Sequence, residues 1–163
     1  MGLAYKYGDA AIYAETENIC DPSNLWVNPI SGIISSSGGL RINPVTGRRE
    51  FHDGIDIAAP VGTPVVAPRD GTVLATGSSP TFGVFLRIMH PDGYISFFAH
   101  LHRVTVTAGD TVRQSERIAY SGNTGRSTGP HLHFGLFRDG QYVNPLNYVD
   151  LPVSAYLIAP LSW

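Results

Sequence analysis

From Phe51 onward the chain is a series of short β-type runs cut by turn residues, and this punctuation limits its fold more than any other feature. Thr63-Pro64-Val65-Val66-Ala67 ends at Arg69-Asp70-Gly71, and residues 72–75 form the next run. Residues 84–89 close at His90-Pro91-Asp92-Gly93, and residues 94–99 read as their hairpin partner, because Asp-Gly is a favoured two-residue turn. Residues 104–106 run into Ala108-Gly109-Asp110, and residues 117–120 end at Ser121-Gly122-Asn123. Residues 131–137 meet a second Asp-Gly at Asp139-Gly140, with Tyr142-Val143 beyond. Turn signals spaced about 8–12 residues apart, without a helical stripe between them, predict an all-β sandwich or partly open barrel.

The flanks differ. Residues 1–30 show no period; residues 10–14 could form a short helix and 20–24 a turn. Residues 31–40 are rich in Ser and Gly, and Asn43-Pro44-Val45-Thr46-Gly47 is a further turn signal. The end of the chain is apolar, with Leu151, Val153, Tyr156, Leu157, Ile158, Leu161 and Trp163. The expected organisation is an N-terminal extension (1–34), one β domain (35–148) and an apolar tail (149–163) that packs back on the core or docks on a partner.

Composition removes several function classes. With 43% hydrophobic and 15% charged residues in 163, the chain can build one core and is not of the disordered type. A net charge of -2 gives no electrostatic case for nucleic acid. Cys20 is the only cysteine, so no internal disulfide is possible. Residues 1–20 carry Lys6, Asp9, Glu15 and Glu17 and do not read as a signal peptide, and no run of about 18 apolar residues could span a membrane.

Two motifs carry the chemistry: His52-Asp53-Gly54-Ile55-Asp56 and His131-Leu132-His133. Histidine nitrogen and carboxylate oxygen are ligands of catalytic zinc, which takes three protein ligands and keeps one position open. On a strand His131 and His133 share one face, with Leu132 toward the core. The same alternation groups His52, Gly54 and Asp56, points Asp53 the other way, and leaves room for an ion at Gly54. His100-Leu101-His102 is a further His-x-His whose spacing also suits a ligand pair; alternatively His102 lines the groove or lies at its rim. His90 sits in a hairpin turn and is expected to be exposed. No His-Glu-x-x-His motif exists, and of the four glutamates only Glu50 lies beside a metal motif, so a histidine is the better candidate for general base.

The segment Phe51-His52-Asp53-Gly54-Ile55-Asp56-Ile57-Ala58-Ala59-Pro60 resembles the first signature of the M23 (lysostaphin/LytM-type) zinc peptidases. Gly125-Arg126-Ser127-Thr128-Gly129-Pro130-His131-Leu132-His133-Phe134 resembles the second. Leu40-Arg41-Ile42-Asn43-Pro44, Gly62-Thr63-Pro64-Val65, Asp70-Gly71-Thr72-Val73 and Ala99-His100-Leu101 match in the same order, so the likeness covers about residues 35–148. It implies an antiparallel β-sheet groove of the duplicated hybrid type, zinc held by His52, Asp56 and His133, and His100 and His131 as catalytic residues. It further implies endopeptidase cleavage of peptidoglycan stem peptides or cross-bridges. On this reading His131 and His100 flank the attacking water, one accepting its proton and one stabilising the tetrahedral intermediate. His102 stands where the family commonly has a small polar residue.

Three other readings were open to the sequence. Some relatives keep the fold, lose ligands and act as binding or activator modules; here every expected ligand is present. A biotinyl- or lipoyl-carrier strand resembles residues 64–73, but such domains need a lysine on the β turn and Lys6 is the only lysine. A wall enzyme delivered by lysis or in a virion, or a structural part of a phage tail, would use residues 1–30 or 149–163 as attachment surfaces toward tail proteins. Those segments could equally cover the zinc.

Overall fold

The computed structural model describes residues 26–43 and 45–154. The short helix expected at 10–14, the turn at 20–24 and the end of the apolar tail lie outside the described residues. Twelve strands follow one another: β1 (Ile33–Ser36), β2 (Gly39–Ile42), β3 (Arg49–His52), β4 (Ile55–Ala58), β5 (Pro64–Val66), β6 (Gly71–Ser79), β7 (Gly83–Met89), β8 (Tyr94–Val104), β9 (Thr111–Val112), β10 (Arg117–Ser121), β11 (His131–Arg138) and β12 (Gln141–Val143). The all-β antiparallel expectation holds. One sheet runs in the order β1-β4-β11-β8-β7-β6-β9, with β12 added to β11 and β10 joining β8 to β5. Strands β2 and β3 form a separate two-stranded ribbon.

Alternation fixes which face of this sheet is dry. Ile55 and Ile57 of β4, Leu132 and Phe134 of β11, Phe98 of β8, and Leu86 and Ile88 of β7 are all fully buried in one cluster. Val65, Val112, Ile118 and Ala119 close over it from β5, β9 and β10. Each buried side chain of this size contributes about 1.5–3 kcal/mol of transfer free energy. The opposite face of the same strands carries Asp56, His131 and His133.

The Asp139-Gly140 turn forms as its sequence predicts, with φ of 50° and 79° and Arg138 opposite Gln141. Both residues adopt the left-handed region that a two-residue hairpin of this twist needs. The Ser/Gly-rich stretch 31–40 holds β1 and the start of β2. Ile33-Ile34 gives enough β character to pair with β4, and β1 sits at the sheet edge, where few residues are needed. Residues on both flanks meet there: Ile30 is in the core, Val149 and Leu151 pack on it, and Val153 bridges Ile34.

His90 departs from expectation. Its turn position predicts exposure, yet it is 4% exposed. Nδ1–H donates to the Asp70 carbonyl at 2.9 Å, the Ser96 hydroxyl lies 2.7 Å from Nε2, and Trp26 packs edge-on at 5.0 Å. Burial pushes its pKa down to about 4, outweighing the Asp70 carbonyl. A histidine held neutral in the fold leaves stability intact above its unfolded pKa near 6.5 and loses it as pH falls from there toward 4, by up to about 3 kcal/mol. We predict that urea unfolding at pH 7.0 and pH 4.5 will differ more for the native chain than for His90→Asn. Equal differences would remove His90 as a source of acid sensitivity.

Candidate metal centre

The register between β4 and β11 places His133 directly opposite Asp56, with Ala58 opposite His131. Both strands are pinned by their buried partners Ile55, Ile57, Leu132 and Phe134, so the polar residues between them cannot slip. His52, at the end of β3, reaches the same point from the ribbon. Its Nδ1–H donates to the Ser37 carbonyl at 3.0 Å, which turns Nε2 inward. Nε2 of His52 lies 3.1 Å from Nδ1 of His133 and 3.2 Å from Oδ1 of Asp56; Nδ1 of His133 is 3.1 Å from the same oxygen.

These three atoms form a nearly equilateral triangle. Tetrahedral zinc with bonds of about 2.0–2.2 Å sets ligand atoms roughly 3.3–3.6 Å apart. The donor set therefore fits such an ion with shifts of a few tenths of an ångström. Asp56 is half-buried, and burial works against its charge. The His133 and His52 imidazoles packed against Oδ1 outweigh that and hold its carboxyl well below the usual carboxylate range. Its other oxygen, Oδ2, accepts from Arg41 Nη1 at 3.4 Å, while the rest of that guanidinium pairs with Glu50 at 3.3 Å. Asn43 donates to the second Glu50 oxygen at 2.6 Å, so Glu50 is committed to the ribbon.

Two more histidines border the triangle. His131 donates Nδ1–H to the Gly129 carbonyl at 2.8 Å, with the Ser127 hydroxyl at 3.1 Å, and its Nε2 lies 3.6 Å from Asp56 Oδ1. His100 donates Nδ1–H to the Thr124 carbonyl at 2.8 Å, and its ring lies 4.9 Å from that of His131. Burial pushes the His100 pKa down, against the Thr124 carbonyl. Its backbone has φ of 58°, and the β7–β8 register shifts beside it. This kink breaks the two-residue alternation: His100 faces the cavity, whereas His102 is exposed and does not line it. The cavity, of about 190 Å³, is bordered by Phe51 and Phe82 and by Arg126, Ser127 and Thr128 of the loop before β11.

Two expectations need correction. Strict alternation points Asp53 away, but β3 ends at His52 and β4 starts at Ile55, so the period is interrupted at Asp53-Gly54. Asp53 Oδ1 lies 3.3 Å from His133 Nε2. Gly54 leaves room, but not for an ion. A Cβ there would sit 2.6 Å from the Phe134 carbonyl oxygen and 2.8 Å from His133 Cε1 and Nε2. The missing side chain lets the His133 ring and the β11 backbone approach. Sequence reasoning also assigned no role to Arg41, although its place before the first motif was visible.

The profile described as Peptidase family M23 matches residues 50–145. The chain belongs to peptidase family M23. It is 41% identical over 123 residues to the peptidoglycan DD-endopeptidase ShyA of Vibrio cholerae, covering 76% of this chain and 28% of that protein. Among solved structures it resembles a zinc-containing peptidase from Vibrio cholerae, with a TM-score of 0.68 and 37% identity over 78% of this chain and 40% of the other. It also resembles the catalytic domain of lysostaphin from Staphylococcus simulans, with a TM-score of 0.64 and 30% identity over 71% of this chain and 90% of that domain. The chain spans between 24% and 29% of the length of the curated relatives it matches.

Gly54→Ala tests the packing role. It should cost about 1–3 kcal/mol by overpacking and displace His133, weakening any bound divalent ion. Gly129→Ala, whose Cβ would meet nothing within 4 Å, should leave both stability and ion binding unchanged. Thermal melts with and without added zinc would read both effects.

Proposed function

We propose that this chain is a zinc-dependent endopeptidase that hydrolyses peptide cross-links of bacterial peptidoglycan. The observation that carries this reading is the triangle of donor atoms from His52, Asp56 and His133, bordered by two histidines that anchor Nδ1 on a backbone carbonyl and turn Nε2 inward. The likeness to a DD-endopeptidase over three quarters of the chain supports cross-links between stem peptides as the substrate.

His52 Nε2, Asp56 Oδ1 and His133 Nδ1 would hold the zinc. When bound, zinc polarises a peptide carbonyl and acidifies a water molecule. The remaining steps belong to the side chains around it. Because Nδ1–H of both His131 and His100 is committed to a backbone carbonyl, each presents a lone pair at Nε2. In this tautomer neither ring begins as a donor to an oxyanion. The His131 nitrogen, closer to Asp56, takes the proton of the attacking water. The His100 ring, kept neutral by burial, is the second acceptor, and once protonated it donates to the tetrahedral intermediate or to the departing amine. The Gly129 and Thr124 carbonyls keep the rings in the required tautomer through both stages.

Two classes of variant should separate. His52→Ala, Asp56→Ala and His133→Ala should lose stoichiometric zinc and cleavage together. His100→Ala and His131→Ala should keep zinc and lose about 10²–10⁴-fold in turnover. Zinc analysis beside mass spectrometry of peptides released from purified peptidoglycan would show this. Full cleavage by both zinc-retaining variants would overturn the assignment, and so would chelator-resistant cleavage by the native chain.

A further inference from the structure

Four imidazoles meet at the cavity, and three are oriented alike. His52, His100 and His131 each turn Nε2 inward and anchor Nδ1 on a backbone carbonyl, at 3.0, 2.8 and 2.8 Å. His133 is reversed. Its Nδ1 faces the triangle, so its outward nitrogen is Nε2, and that atom is buried without an aligned hydrogen-bond acceptor among the described residues. No carbonyl takes the place that the other three rings enjoy. The charged group beside it is the Asp53 carboxylate, with Oδ1 at 3.3 Å but off the line of the N–H bond. The Asp53 side chain is 45% exposed, which leaves it room to turn into line.

We propose that Asp53 is the positioning residue for His133: its carboxylate accepts the Nε2 proton, fixes the tautomer that leaves Nδ1 unprotonated, and strengthens that nitrogen as a metal ligand. The inference rests on the ligand set proposed above and adds to it a residue outside that set. A carboxylate does here what a neutral carbonyl does for the other rings, with a difference in kind. A charge-assisted acceptor draws the N–H proton more strongly and raises the electron density of the ring, so the opposite nitrogen binds a cation more tightly. The break between β3 and β4 makes this possible. An uninterrupted strand would carry Asp53 to the far face, whereas the irregular Asp53-Gly54 step brings it round, and the absent Gly54 side chain lets His133 lie against it.

The test measures zinc affinity by competition with a chromophoric chelator for the native chain, Asp53→Ala, Asp53→Asn and His133→Ala, at low salt and at 0.5 M salt. The melting temperature of the zinc-free forms is followed in parallel. Asp53→Ala should bind zinc about 10–100-fold more weakly, with the zinc-free melting temperature unchanged. Asp53→Asn, which keeps an oxygen acceptor but not its charge, should fall between. The loss should persist at 0.5 M salt, where removal of a remote exposed charge is screened. Ring nitrogen spectra of the zinc-loaded native chain should show His133 protonated at Nε2. Native affinity in Asp53→Ala, a loss abolished by salt, or a drop in zinc-free melting temperature with unchanged affinity would each overturn the inference. If His133→Ala also bound zinc like the native chain, the ligand set would fall with it. Weak binding by His133→Ala beside native binding by Asp53→Ala would overturn the role of Asp53 alone.

Discussion

Everything at the candidate centre depends on the register of two neighbouring strands. With Phe134 opposite Ile55 and Leu132 opposite Ile57, His133 has no choice but to face Asp56. The apolar side of β4 and β11 is fully buried, and a one-residue slip of β11 would expose Leu132 and Phe134 and bury His131 and His133. The polar geometry is thus set from behind by hydrophobic packing. This arrangement sets the donor atoms 3.1–3.2 Å apart.

A second layer of control comes from backbone carbonyls. Imidazole has two nitrogens and no intrinsic preference strong enough to choose between them at a protein surface. Ser37, Thr124 and Gly129 make that choice for three rings. Each carbonyl sits on a turn or strand end, where its oxygen is not needed by the main sheet. The loop around Gly125, with φ of 75°, and the left-handed backbone at His100 are the local irregularities that bring these carbonyls within reach.

Much of this was legible in the sequence. The turns at Asp92-Gly93 and Asp139-Gly140 delimit the strands that carry the centre, the paired motifs identify three of the four cavity-facing histidines and Asp56, and the family resemblance adds His100. What failed was the assumption of unbroken alternation. It holds for His131 and His133, which lie within β11, and fails at Asp53 and at His102, where a strand ends or bulges. A period of two cannot report its own interruptions, because a bulge or a break depends on partner strands far away in the chain. The same limit explains β1, whose partner β4 lies some twenty residues on, and His90, whose burial depends on Trp26 and Ser96 rather than on its own turn. Arg41 was visible but mute, since an arginine next to an exposed ribbon declares no partner until the fold supplies Asp56.

The ribbon of β2 and β3 has no hydrogen-bonded neighbour strand in the main sheet, yet it delivers His52 and Arg41 to a centre whose other members belong to that sheet. Two antiparallel strands have little stability of their own, and Leu40, Ile42 and Phe51 leave much of their apolar surface uncovered. An ion shared by His52 on the ribbon and Asp56 and His133 on the sheet is therefore a clasp as well as a reagent. Part of its binding free energy goes into seating the ribbon, so the ion's affinity and the persistence of one wall of the groove are a single thermodynamic quantity.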